Sequence, residues 1–115
     1  MTAREVEQRR RVLFTMLTVL EFRYPPGREP ALVTGLRRWL GGWPGIGRIV
    51  AGMARQGCDL QLTRYATEGW RGTFYPAGMA HSATAAVGSA WTREPWTAVQ
   101  RSAWEVLRKQ EAASA

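Results

Sequence analysis

Apolar residues near the start of the chain recur at the spacing of an amphipathic helix. The pattern predicts a helix from about Ala3 to Arg23, with Thr2 and Glu5 at the spacing of a capping box. One face of this helix collects Val6, Leu13, Met16, Leu17 and Leu20. The apolar stripe is widened by Val12, Phe14, Val19 and Phe22. A stripe this wide indicates a helix at the centre of a core or one that packs against a second copy, so a homodimer through the first helix is one expectation.

Two shorter helices are predicted next. The first helix ends at Tyr24-Pro25-Pro26-Gly27, because a residue before proline avoids the helical region and Pro-Gly favours a turn. A second helix runs from Glu29 or Pro30 to Leu40, and Gly41-Gly42 ends it. A third helix runs from Pro44 to Arg55, and Gly57 stops it.

After Gly57 the spacing changes from helical to alternating. Cys58–Tyr65 alternates with the two-residue period of a strand, and Thr67-Glu68-Gly69 is a turn signal. Trp70–Tyr75 is then the second strand of a hairpin, and a third strand is predicted from about Ser82 to Trp91. These segments together predict a small antiparallel sheet.

The chain ends in a predicted helix from Pro95, which suits the first helical position, to about Gln110. Glu111–Ala115 is expected to be a frayed tail. The predicted fold class is therefore α+β, with N-terminal helices followed by a three-stranded antiparallel β-meander and a C-terminal covering helix. The 115 residues suit a single domain, 1–115, made of a helical half (1–57) and a β-β-β-α half (58–115).

Charge distinguishes these two halves. The chain has 16 Lys and Arg against 9 Asp and Glu, a net charge of +7, and Lys109 is its only lysine. Residues 1–57 hold ten arginines and four glutamates, a net +6, so the remaining residues contribute only +1. Arginine binds phosphate and carboxylate groups in a bidentate manner, although a GC-rich genome also raises the arginine content. The charge indicates nucleic acid or an acidic protein surface as the partner.

The same composition argues against several classes of site. Cys58 and His81 are the only cysteine and the only histidine, which leaves no intrachain disulfide and no cysteine-based zinc cluster. A thiol–imidazole pair of Cys58 with His81 is a minor alternative to a buried cysteine and an exposed histidine. The acidic residues are scattered, so we expect no enzyme, no metal and no cofactor. We also expect no membrane segment, no signal peptide and a cytoplasmic location.

One short motif points to phosphate binding. Pro44-Gly45-Ile46-Gly47, followed by Arg48 and a small Ala51, resembles the turn of the helix-hairpin-helix family, and the resemblance covers residues 32 to 55. It implies that Gly45 and Gly47 let the backbone approach a nucleic-acid phosphate and that the next helix's amides bind it. Helix N-termini bind anions for the same reason, and Arg48 would add a charged contact. The alternative is an ordinary glycine-rich turn between two helices.

The predicted hairpin carries arginine among aromatic residues. On a two-residue period Tyr65, Arg71, Thr73 and Tyr75 share one face, which could stack unpaired bases or form plain amphipathic surface. The hairpin, third strand and last helix together also resemble the β-β-β-α end of double-stranded-RNA-binding domains. That family has a basic cluster at the start of the last helix, where this chain has Thr92-Arg93-Glu94-Pro95.

These observations favour a small basic nucleic-acid-binding protein that contacts the DNA or RNA phosphate backbone with little sequence specificity. The predicted contact residues are Arg37, Arg38, Gly45, Gly47, Arg48 and Arg71. The alternative is a protein-interaction module, such as an accessory factor or phage-type inhibitor that docks on an acidic partner. The wide apolar stripe of the first helix and the six tryptophans favour that alternative, because tryptophan and arginine are common interface anchors.

Overall fold

The computed structural model describes residues 1–25, 27–67, 69–82 and 84–114 and has the predicted α+β architecture. The elements in chain order are α1 (Ala3–Thr18), a π-helical turn (Val19–Arg23), α2 (Ala31–Leu40), α3 (Gly42–Arg55), β1 (Cys58–Tyr65), β2 (Gly69–Pro76), β3 (Gly88–Thr92) and α4 (Pro95–Ser114). Four residues lie outside the described ranges: Pro26 and Glu68 of the predicted turns, Ala83 of the predicted third strand and Ala115 of the predicted tail.

The first helix begins with the predicted capping box. The Thr2 hydroxyl accepts a hydrogen bond from the Glu5 amide at 3.2 Å, and the Glu5 carboxylate accepts one from the Thr2 amide at 3.1 Å. The helix reaches Arg23 as predicted, although its last turn is π-helical. Its apolar stripe is only partly covered within the chain, because Leu17 is buried whereas 54% of Val12 is exposed.

The second and third helices meet at a tight junction. Only Gly41 separates the end of α2 at Leu40 from the start of α3 at Gly42. The prediction that α3 begins at Pro44 was two residues late, because the helix already includes Gly42 and Trp43. Proline lacks an amide hydrogen, a loss that costs nothing within the first turn of a helix. Because only one residue separates the two helices, the side chains at the end of α2 lie close to those of α3.

The sheet is a β1-β2-β3 meander with antiparallel pairing throughout. Cys58 pairs with Pro76 at one end of the β1–β2 hairpin, and Tyr65 pairs with Gly69 at the other. The prediction for the third strand was wrong at its start, since β3 begins at Gly88. The segment before it makes turns instead, with the Ala85 amide donating to the Ser82 carbonyl at 3.0 Å. Immediately before β3, the Val87 amide donates to the Phe74 carbonyl of β2 at 2.9 Å.

The inner face of the sheet packs on α4. Gly88 allows the close approach, because a Cβ there would lie 2.6 Å from both the Ser102 carbonyl oxygen and a Val106 methyl group. α4 also contacts α3 and α1, and α3 contacts β1. The core lies between these elements. Its largest fully buried apolar side chains are Leu17, Leu40, Ile49, Met53, Phe74, Val99, Val106 and Leu107.

The prediction of a frayed C-terminal tail was also wrong, because α4 continues to Ser114. Arg10 of α1 contacts the extra turn. Its guanidinium donates to the Glu111 carboxylate at 3.0 Å and to the Ser114 hydroxyl at 2.8 Å. These contacts tie the end of the chain to α1. None of the helices within the described ranges is sufficiently long and apolar to cross a membrane.

Candidate functional site

Ion pairs divide the arginines of the helical half into two groups. Arg10 and Arg11 pair with glutamates on α1 and α4, and Arg37 pairs with Glu29. The other group has no ion pair with a carboxylate of the described residues, and it comprises Arg4, Arg9, Arg23, Arg28, Arg38, Arg48 and Arg55. The second group carries the charge that is available to a ligand.

Among the predicted contact residues, Arg37 makes a structural contact. Its Nε and Nη2 atoms donate to one Glu29 carboxylate oxygen at 3.0 and 2.8 Å. Nη2 also donates to the Leu20 carbonyl at 3.2 Å, so this side chain links α2 to the end of the first helix. The hydrogen bond from Arg37, together with its charge, lowers the pKa of the Glu29 carboxyl. Three hydrogen bonds of Arg37 are therefore made within the protein.

The glycines of the Pro-Gly-Ile-Gly motif have different environments. The expectation that they form the turn between two helices was wrong, because the turn is at Gly41 and the motif lies in the first turns of α3. Gly45 is buried where α3 meets α2, and a Cβ on it would overlap the Leu40 carbonyl oxygen. Gly47 is exposed and has open space around it. The close packing of α3 on α2 thus explains why residue 45 is a glycine, whereas Gly47 faces the surface.

Arg48 is stacked on a tryptophan from the preceding helix. Its guanidinium lies 5.1 Å from the centre of the Trp39 ring, and its Nη1 atom donates to the Trp39 carbonyl oxygen. The Trp39 side chain remains 49% exposed, and Arg38 beside it is also exposed. The tight α2–α3 junction brings Trp39 and Arg48 together, and Trp39 is not among the predicted contact residues.

Trp39 and Arg48 line a groove of about 500 Å³ between α1, α3 and the end of α2. We call this the α1–α3 groove. Its apolar lining, which we call the groove floor, consists of Val12, Leu13, Met16, Trp39 and Leu40, with Gly52 beside Leu13. Its polar residues are Glu5, Gln8, Arg9, Arg48 and Arg55. Three arginines without a described carboxylate partner therefore line the same groove as a half-exposed indole.

Arg9 and Arg55 were not among the predicted contact residues. Arg48 and Arg55 are seven residues apart on α3, a spacing that returns to the same helix face after two turns. That spacing is visible in the sequence. The contribution of Arg9 is not, because only the packing of α1 on α3 brings it to the groove.

The outer face of the sheet has the predicted residues, although two of them are covered. The strand register places Tyr65, Arg71, Thr73 and Tyr75 on this face, as predicted. Tyr75 is only 7% exposed because His81 stacks on it with ring centres 4.3 Å apart, and Thr73 is buried as well. The aromatic residue exposed on this face is Trp91 of β3, which the prediction omitted.

Tyr65, Trp91 and Arg71 contact one another on this outer face. The Tyr65 and Trp91 ring centres are 4.5 Å apart, and the Arg71 guanidinium lies 5.7 Å from the Trp91 ring. Arg71 also donates to the Ser89 hydroxyl at 3.2 Å. The predicted stacking surface is thus smaller than expected, and its members already contact one another.

The thiol–imidazole alternative is wrong. Cys58 lies on the inner face of the sheet, where burial raises the pKa of its thiol, whereas His81 is on the outer face against Tyr75. Among the residues that the structure describes, no group of three or more His, Cys, Asp and Glu side chains could hold a metal ion.

Comparisons of the chain with protein-family models, with curated proteins and with solved structures found no match. The contacts, burial and charges of the chain itself are therefore the basis for assigning a role to the α1–α3 groove.

Proposed function

We propose that this protein binds nucleic acid through its phosphate backbone, with the arginines of the α1–α3 groove as the main contacts. The observation that carries the proposal is the convergence of Arg9, Arg48 and Arg55 on one groove, with no carboxylate partner among the described residues. Guanidinium groups bind phosphates through bidentate, charge-assisted hydrogen bonds. Among the residues that the structure describes, Glu5 is the only acidic one that lines the same groove.

Low sequence specificity is part of the proposal. The exposed residues of α3 next to its two arginines are small, as Gly47, Ala51 and Ala54 illustrate. Base-edge recognition in a duplex groove needs longer polar side chains such as Asn, Gln or a bidentate Arg. Contacts to phosphates position a protein on nucleic acid without reading its sequence.

The apolar groove floor favours one other candidate, an acidic protein segment with an apolar side. Such a segment would place its carboxylates on the arginines and its apolar residues on Val12 and Trp39, both about half exposed. The net +6 of residues 1–57 suits either partner. Nucleic acid carries one negative charge on every nucleotide, so it offers more phosphate contacts to these arginines than a protein segment offers carboxylates.

Salt dependence tests the proposal. We expect fluorescence anisotropy to show binding of DNA and RNA oligonucleotides at low salt, with log K falling against log salt with a slope of about −2 to −3 for three phosphate contacts. Arg48→Gln should reduce that slope by about 1. Arg108→Gln is the charge-matched control, because Arg108 lies on α4 over Trp104 and pairs with Glu105. Lack of binding to any oligonucleotide at low salt would contradict the proposal.

A further inference from the structure

The floor of the α1–α3 groove has no role in phosphate binding, yet it is a substantial apolar surface. Val12 is 54% exposed and Trp39 is 49% exposed on the same groove, next to Met16 and Leu13. Phosphate groups are strongly hydrated and gain nothing from apolar contact. A ligand that fills this groove therefore needs a planar or apolar part in addition to its negative charges.

We infer that the α1–α3 groove takes an unpaired base of a single-stranded nucleic acid, stacked at the Trp39–Arg48 pair, while the arginines contact the flanking phosphates. The inference rests on the proposed function and names its substrate class. Unpaired bases stack on aromatic rings and on arginine guanidinium planes, and the groove offers one of each in contact. The hydrogen bond from Arg48 to the Trp39 carbonyl holds the guanidinium at the ring.

The arginines that line the groove come from both of its long helices. Arg9 belongs to α1, and Arg48 and Arg55 belong to α3, so a strand lying between these helices meets arginine on each side. In a single strand, a phosphate precedes and another follows each internal base. A base on the groove floor would therefore have a phosphate on either side, within reach of the arginines of the two helices. Single-strand-binding proteins combine a basic groove with aromatic side chains in the same way.

A duplex fits this groove less well. Its bases are paired and stacked inside, so a duplex can present only its backbone to a concave surface. Reaching Trp39 would require a nucleotide to leave the stack, at the cost of its pairing and stacking. A duplex bound at the arginines would leave the apolar floor uncovered.

The outer face of the sheet is the competing location for a base. Like the groove, it has an arginine in contact with an exposed tryptophan, because Arg71 lies over Trp91 and donates to Ser89. Tyr75 and Thr73 are buried, which removes half of the surface that the strand pattern predicts. Arg71 is also the only arginine whose side chain the strand register places on that face, so the charge there is lower than at the groove.

An abasic oligonucleotide separates the two proposals. The probes are a short fluorescent thymidine oligonucleotide, an abasic strand of equal length and a duplex, each titrated by anisotropy with the intact protein. We expect the thymidine strand to bind about tenfold more tightly than the abasic strand, because one stacked base is worth about 1–3 kcal/mol. Equal affinities for the two strands would overturn base insertion and leave phosphate binding intact. No binding of any probe would overturn both proposals.

Two tryptophan variants locate the base. Trp39→Leu should lower the affinity for the thymidine strand by about tenfold and leave the abasic strand nearly unaffected. Trp91→Leu is the matched control, since Trp91 is exposed to a similar extent (45%) on the outer sheet face. Circular dichroism and thermal melting check that both variants fold, as expected for half-exposed positions.

The remaining outcomes contradict the inference. A selective loss in Trp91→Leu would place the base on the sheet. An unchanged affinity in Trp39→Leu would exclude stacking at the groove. A peptide helix with alternating acidic and apolar faces is the last probe. Trp39-dependent binding of that peptide, without Trp39-dependent binding of the thymidine strand, would assign the groove to a protein partner.

Discussion

Arg37 and Arg48 carry the same side chain but differ in what they contact. Arg37 donates three hydrogen bonds to Glu29 and Leu20, which fixes α2 against the end of the first helix. Arg48 uses one donor for the Trp39 carbonyl and keeps the others for a ligand. The sequence shows two arginines on neighbouring helices. Their separation into a structural and a ligand-accessible residue depends on Glu29 and Trp39, which reach them through packing.

A pair of alanine substitutions tests the roles of the two motif glycines. Gly45→Ala should destabilise the protein by at least about 1–3 kcal/mol, because the new Cβ would overlap the backbone of Leu40. Gly47→Ala should stabilise it by about 0.5–1 kcal/mol, because Gly47 is an exposed helical residue in open space. Urea unfolding monitored by circular dichroism measures both changes.

The same Gly47→Ala variant examines the helix-hairpin-helix hypothesis. If a phosphate approached the backbone at Gly47, the added methyl group would weaken oligonucleotide binding. We expect affinity to stay within about twofold of the original protein, because the arginine side chains make the contacts in our proposal. Equal destabilisation by the two alanines would contradict the packing explanation for Gly45.

At the level of elements, the alternation of apolar and polar residues predicted the limits of a strand better than residue type did. The strand Cys58–Tyr65 has the predicted limits, because apolar and polar residues alternate with a period of two from Cys58 to Thr63. The third strand and the last helix were misjudged at one end each. Alanine and serine residues before Gly88 carry little periodicity, and the final turn of α4 is bound by Arg10, which is distant in sequence.

Removing the Arg10 contacts should therefore loosen the end of α4. In Arg10→Gln we expect amide hydrogen exchange to accelerate over residues 110–114 and to stay slow at the buried Val106 and Leu107. The free energy of unfolding should fall by about 1 kcal/mol, since this ion pair is partly buried. Arg11→Gln is the control, because its exposed pair with Glu7 lies within α1. Similar protection at the end of α4 in both variants would show that Arg10 is not what holds it.

At the scale of the whole molecule, the location of charge matters more than its sum. The fold class and the basic helical half follow from periodicity and composition. The groove does not, because its residues come from three helices that are brought together by core contacts of Leu13, Leu40 and Ile49. Sequence spacing relates residues within one helix, whereas an interhelical groove depends on how the helices pack.

Two triple variants with the same net charge test this distinction. Replacing Arg9, Arg48 and Arg55 with glutamine should reduce oligonucleotide affinity at least about tenfold at moderate salt. Replacing Arg4, Arg23 and Arg28 with glutamine removes as much charge from exposed positions outside the groove lining. We expect the second variant to lose no more than about threefold. Equal losses measured by anisotropy would mean that binding depends on total charge alone.

The Trp39–Arg48 pair also has a consequence for the conformational entropy of binding. A long arginine side chain that is free in solution loses about 0.5–1.5 kcal/mol of rotamer freedom when a ligand immobilises it. Arg48 has already lost much of this freedom, because the Trp39 ring and carbonyl hold its guanidinium before any ligand arrives. The loss is thus part of the free energy of folding. A ligand at this pair meets a prearranged surface, whereas a ligand at Arg38 must order the side chain itself.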